Sequence, residues 1–209
     1  MNLTSMVTKY PYCNNPELWG GIECTINRVH NNYRDQLALT GHYDRLEDIE
    51  KFASLGIRKL RYPVLWEHHE QSQNQKIDWS WARDRLNRIC KNKMIPIVGL
   101  LHHGSGPRFT DLADENFPVK FAAYAARVAA KFPWVTYYTP LNEPLTTARF
   151  SGLYGFWYPH QTHEKSFVEM LLNQLKAIVL AMQAIRTINP EAQLVQTEDL
   201  SKTHSTPPL

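Results

Sequence analysis

Cysteine is scarce in this chain, with three residues in 209. Cys13, Cys24 and Cys90 are odd in number and widely spaced, which matches neither a disulfide framework nor paired metal knuckles, so a reducing cytoplasm is the expected home. An excess of one charge is missing too. The formal net charge is +3, with Lys and Arg scattered among acidic residues, and nothing in that pattern calls for a nucleic-acid partner. The N-terminal run Met1-Asn2-Leu3-Thr4-Ser5-Met6-Val7-Thr8 has no apolar core of signal-peptide length. No segment is expected to reach the apolar length needed to cross a bilayer, so neither export nor a membrane partner is expected. Low-complexity linkers are absent as well. A content of 43% hydrophobic and 21% charged residues suits one globular domain over residues 1–209 with a sizeable core.

What is present is an alternation of strand-like and helix-like runs. Leu18 to Asn27 reads as a first strand and Asp44 to Leu55, with Leu46, Ile49 and Ala53 at helical spacing, as the helix after it. Asp44 and Glu47 approximate a capping box, and Gly56 supplies a stop. A second strand runs from Ile57 to Trp66, and a helix capped by Asp78 carries Ala82, Leu86 and Ile89 on one face. Met94 to Val98 is a third strand, Pro118 opens a third helix, and Val135 begins a fourth strand. Ser166 to Ile188 is the longest helix, followed by a last apolar run, Ala192 to Thr197. This order predicts an α/β fold of the (β/α)8 TIM-barrel type. About five units fit in the length, so the barrel is expected to be truncated to about its first five strands, with the C-terminal units missing. The open edge predicts association, and the tail Ser201 to Leu209 carries no helix signal.

Each expected strand ends in groups that bind or transfer protons: Glu23 and Asn27, then Glu67, His68 and His69, then His102 and His103, then Asn142 and Glu143, then Glu198 and Asp199. His68, His69 and Glu70 read as solvated loop residues. His102 directly follows an apolar strand, and because strand neighbours point to opposite faces, only one of His102 and His103 is expected to face inward. Arg61 is a charge inside a strand and needs a partner. Pro140 and Pro144 keep any helix from forming across Asn142 and Glu143, which places that pair in a loop at a strand's carboxyl end, where parallel α/β sheets bind ligands. The aromatic run Tyr154-Gly155-Phe156-Trp157-Tyr158 follows as a wall for a ring-shaped substrate.

These stretches together resemble the family 1 glycoside hydrolases, a family of retaining β-glycosidases. Leu18-Trp19-Gly20 resembles the family's opening strand and puts Asn27 where a sugar-binding glutamine stands. Arg61-Tyr62-Pro63-Val64-Leu65-Trp66 resembles the strand Arg-Phe-Ser-Ile-Ser-Trp, whose arginine lies beside the catalytic carboxylates. His102 matches a sugar-binding histidine, with His103 in place of the usual tryptophan, and Thr139-Pro140-Leu141-Asn142-Glu143-Pro144 is similar to Thr-Phe-Asn-Glu-Pro. The resemblance implies a carbohydrate substrate, hydrolysis of O-glycosidic bonds and no cofactor, with Glu143 as general acid/base, Asn142 on the 2-hydroxyl and Arg61 beside them. It further implies His102 and Asn27 on other hydroxyls and Trp157 or Tyr154 as a stacking face.

The family's nucleophile motif, Ile/Val-Thr-Glu-Asn-Gly, does not occur in the sequence. Thr197-Glu198-Asp199 has a superficial likeness to it, and Glu198 is expected to contact substrate or support structure. The 209-residue chain is therefore expected to be inactive alone. The alternative is a non-catalytic carbohydrate-binding remnant, or the front portion of a multidomain carbohydrate-assembly protein. A metal-dependent barrel would use His102, Glu143 and Glu198 as ligands, but no His-x-His or His-Glu-x-x-His spacing supports it.

Overall fold

The computed structural model describes residues 17–199; Cys13, the N-terminal run and the tail 201–209 lie outside them. In chain order the elements are β1 (Trp19–Gly21), β2 (Ile26–Val29), β3 (Asn32–Asp35), α1 (Gln36–Leu39), α2 (Asp48–Ser54), β4 (Lys59–Pro63), α3 (Trp66–His69), α4 (Ser80–Lys91), β5 (Ile95–His102), α5 (Phe117–Lys131), β6 (Tyr137–Asn142), α6 (Pro144–Ala148), α7 (Glu164–Ile188) and β7 (Gln193–Leu194). Strands β1, β4, β5, β6 and β7 form one parallel sheet in that order. Strand order thus follows chain order with no switch point, unlike a doubly wound sheet and like successive strands of a barrel wall. A separate antiparallel hairpin joins β2 to β3.

The sheet forms from runs that bury both faces. On β5 Pro96, Ile97, Val98, Leu100 and Leu101 are all buried, the pattern of a central parallel strand. Against it pack Ala82, Leu86 and Ile89 of α4, Phe121, Tyr124 and Val128 of α5, and Ala177, Ala181 and Ile185 of α7. Trp66 is fully buried, with the rings of Phe109, Phe117, Phe121 and Tyr124 at 5.6–6.0 Å between centroids. Burial of an indole of that size contributes roughly 4 kcal/mol or more.

Five boundaries differ from the sequence expectation, one being the third strand, which runs on past Val98 to include His102. The run Leu18 to Asn27 is not one strand: the chain leaves the sheet after Gly21, because the Thr25 amide donates to Gln36 Oε1 (2.7 Å) and its carbonyl accepts from the Gln36 amide (3.0 Å). The next helix starts at Asp48 rather than Asp44, and Glu47 makes no side-chain cap. Asp48 instead accepts from His42, Arg45 and Lys51. The second strand stops at Pro63, and Trp66 opens a helical turn in which the Glu70 amide reaches the Trp66 carbonyl (2.9 Å). The last strand has only two residues. Pro140 sits within β6, and the ladder to β5 passes over it, since proline has no amide to give.

One helix, α7, has the length and mean hydropathy of a membrane span, contrary to the expectation that no segment would. It packs with α5 in the domain core through Met170, Ala177, Ile178, Ala181 and Ile185.

Candidate active site

The turn from β6 into α6 is the most constrained point at the strand ends. Asn142 is the last residue of β6, Glu143 has φ +47 and ψ 66, and Pro144 takes the first helical position. A left-handed conformation is costly for a residue with a side chain, so its surroundings must hold it. The Glu143 amide donates to the Thr197 carbonyl (3.2 Å) and its carbonyl accepts from the Thr147 amide (3.0 Å).

Asn142 is the hub. Its Oδ1 accepts from Arg61 Nη1 and from Thr197 Oγ1 (2.8 Å), and its Nδ2 donates to His103 Nε2 (3.0 Å). Two donors on one atom fix the amide's orientation, and that orientation makes His103 Nε2 an acceptor. The proton of His103 is therefore on Nδ1, which donates to Thr147 Oγ1 (3.0 Å). His103 Nε2 stands 3.6 Å from Glu143 Oε2, a charge contact beyond hydrogen-bond range. Burial holds the His103 pKa below its ordinary value, although Glu143 pulls the other way.

His102 closes the other side. Its Nδ1 faces Cys24 Sγ at 3.4 Å. Its Nε2 is 2.9 Å from Glu23 Oε1 but off the line that an N–H···O bond requires, so this buried nitrogen has no hydrogen-bond partner. Burial pushes the His102 pKa down to about 4, which leaves the ring neutral at pH 7. Strict alternation predicted one inward histidine, and both reach the site. His103 lies just past the strand with φ +54, and that left-handed turn brings its ring back to 5.0 Å from His102.

Glu23, Thr25, Asn27, Val29, Arg34, Gln36, Leu39, His103 and Trp157 line a cleft of about 560 Å³. Asn27 belongs to the hairpin rather than to the end of the first strand; the position beside His102 falls to Glu23. Asn27 is nonetheless buried at the cleft, with neither amide atom partnered. Trp157 stacks on Phe150 (4.7 Å) and lies 5.5 Å from His103. Tyr154 is 48% exposed and meets Phe150 and Phe156, so the structure does not bring it into the cleft. Glu198 Oε2 accepts from the Leu145 amide (3.1 Å) and anchors the start of α6.

The α3 turn is buried where the sequence predicts solvent. His69 is buried against Trp79 and Trp81, and burial lowers its pKa to about 3. His68 stacks on Tyr43 (4.7 Å), while Glu70 accepts from Trp66 Nε1 (2.7 Å), the Asn74 amide (3.0 Å) and Arg127. These three residues close α3 against aromatic rings that the sequence places far away, which is why they are not solvated. Glu67 is buried too. Its Oε1 accepts from the Gly106 amide (3.1 Å), its Oε2 has no partner, and burial raises its pKa to about 7. Gly104 follows His103 and lies so close to the Glu67 carboxylate that a Cβ there would overlap it.

The sequence places Glu23 and His103 at strand ends but assigns neither a specific contact in the site. The available signal for Glu23 was that it is the first carboxylate after Gly20-Gly21. The ligand atoms of Glu23, His102 and His103 lie within 4.8 Å of one another. The set His102, Glu143 and Glu198 is not what gathers, since Glu198 is engaged at α6.

Neither a family model nor a curated protein matches the sequence. Solved structures match in fold. A Thermotoga maritima β-glucosidase in complex with cyclophellitol aligns with TM-score 0.68 and 21% identity over 74% of this chain. A second structure of Thermotoga maritima β-glucosidase, in complex with methoxycarbonyl-substituted glucoimidazole, gives 0.72 and 18% over 87%. The AHE enzyme from Alicyclobacillus herbarius gives 0.68 and 22% over 73%. The chain spans 37%, 48% and 36% of those chains respectively.

Proposed function

We propose that the chain forms the first five strand units of a (β/α)8 barrel of the retaining glycoside hydrolase type and acts on O-glycosidic bonds of a β-glycoside. The observation that carries this reading is the Asn142-Glu143-Pro144 turn at the end of β6, held in a left-handed conformation and tied through Asn142 to Arg61, Thr197 and His103. In its protonated form Glu143 donates to the glycosidic oxygen as the aglycone leaves, then takes a proton from the attacking water. Asn142 Nδ2 has a second hydrogen beside the one given to His103, and donates it to the sugar's 2-hydroxyl, a contact that strengthens in the transition state. His102, Glu23 and Asn27 hold other hydroxyls, and Trp157 offers an aromatic face.

Retention of configuration needs a second carboxylate about 5–5.5 Å from the first. Glu198, engaged with the Leu145 amide, is not assigned that role. A second reading, saccharide binding without turnover, is favoured by the buried unpartnered amide of Asn27. Incubation with an activated aryl β-glucoside, beside calorimetry with the glucoimidazole derivative, separates the two. Turnover that Glu143→Gln abolishes supports hydrolysis; binding alone supports the second reading; neither turnover nor binding overturns both.

A further inference from the structure

We propose that Glu23, His102 and His103 bind a single divalent transition-metal ion of the zinc class at the β1 end of the cleft. Their ligand atoms lie within 4.8 Å of one another, and Glu23 Oε1 and His102 Nε2 are 2.9 Å apart. Ligand atoms about 2.0–2.2 Å from a shared ion lie roughly 3–3.5 Å from each other. One pair, at 2.9 Å, is just short of that spacing and needs only to open slightly. The Glu23 side chain is 62% exposed and has freedom to turn toward the third ligand.

The hydrogen bonds around the two rings are an independent observation. Asn142 Nδ2 has only hydrogens to offer, so His103 Nε2 carries a lone pair and its Nδ1–H is held by Thr147 Oγ1. His102 Nε2 is buried beside a carboxylate without a hydrogen bond. A cation that displaces any proton on this nitrogen gains the attraction of the adjacent carboxylate. Its Nδ1 meanwhile faces Cys24 Sγ. In both rings Nδ1 is engaged by a neighbour, as in histidines that ligate metals, and His103 Nε2 exchanges its hydrogen bond from Asn142 for the ion. Two neutral imidazoles and one carboxylate, with the remaining positions open to the cleft, suit zinc-like ions over magnesium or calcium. The Arg61 guanidinium acts on both rings and opposes cation binding there.

Chelator-stripped protein is titrated with Zn(II) by calorimetry and with Co(II) by visible absorption. Expected are one ion per chain and Co(II) ligand-field bands of low coordination number. Glu23→Gln and His103→Phe should each weaken binding at least tenfold, while Glu198→Gln leaves it unchanged. Circular dichroism of each variant confirms that it is folded, and Glu23→Gln, at an exposed side chain, keeps the test open if His103→Phe does not fold. No saturable binding, or equal affinity in Glu23→Gln and the parent protein, overturns the proposal. The titration contains no sugar, so it succeeds or fails independently of the glycosidase reading.

Discussion

The two ends of the cleft differ in how completely their polar atoms are used. At the β6 end the side-chain amide of Asn142 is fully engaged, by Arg61, Thr197 and His103, and His103 passes its own proton to Thr147. At the β1–β2 end and in the neighbouring α3 turn, both amide atoms of Asn27, Nε2 of His102 and Oε2 of Glu67 are buried with no partner. Each such group costs about 1–3 kcal/mol of lost hydration. The first end is held in place by the fold itself, before any ligand arrives. The second end is maintained against a cost that a ligand bearing hydroxyls, or a cation, would remove.

The largest expected effect lies in the α3 turn, at Glu67. Glu67 has a folded pKa of about 7 against an ordinary 4.5, so between those values the native state keeps a proton that the unfolded chain has lost. Its stabilising contribution is complete below about pH 4.5, declines as pH rises to about 7, and is flat above. A gap of that size corresponds to roughly 3 kcal/mol. Glu67→Gln, which is neutral at every pH, is expected to be about that much more stable than the parent at pH 8 and little changed at pH 4.5. Urea unfolding at several pH values measures it; parallel curves for the two proteins would mean that the carboxylate is satisfied after all. The opposite sign is expected at the β6 end. Asn142→Ala removes three hydrogen bonds and leaves Arg61 with Thr197 alone, so a loss of about 2 kcal/mol is expected. An unchanged urea midpoint would erase the contrast between the two ends.

The elements that packing alone determines were legible in the sequence. Helices α4, α5 and α7, the parallel order of the strands and the loop position of Glu143 follow from apolar periodicity and from Pro118, Pro140 and Pro144 acting locally. What was illegible depends on partners distant in sequence. Asn27 left the first strand because Gln36 claims the Thr25 backbone, and no periodicity announces a side chain that redirects a chain. His68, His69 and Glu70 are polar by composition and were read as solvated, yet Trp79, Trp81 and Arg127 cover them. His103 departed from strand alternation through one left-handed residue, a position where a non-glycine gives little warning.

The smallest expected effect tests the open end most directly. Asn27 is 8% exposed and its amide touches no partner, so folding strips its water and returns nothing. Asn27→Leu replaces that amide with an apolar group of similar size. Replacing an unsatisfied polar group by an apolar one is neutral to mildly stabilising, so a gain of about 0–1 kcal/mol is expected in urea unfolding. Binding of the glucoimidazole derivative should weaken in the same variant, because the lost amide is the one that the fold left unused. A drop in stability would mean that Asn27 is satisfied in solution and serves the fold, and the two ends of the cleft would then differ only in degree.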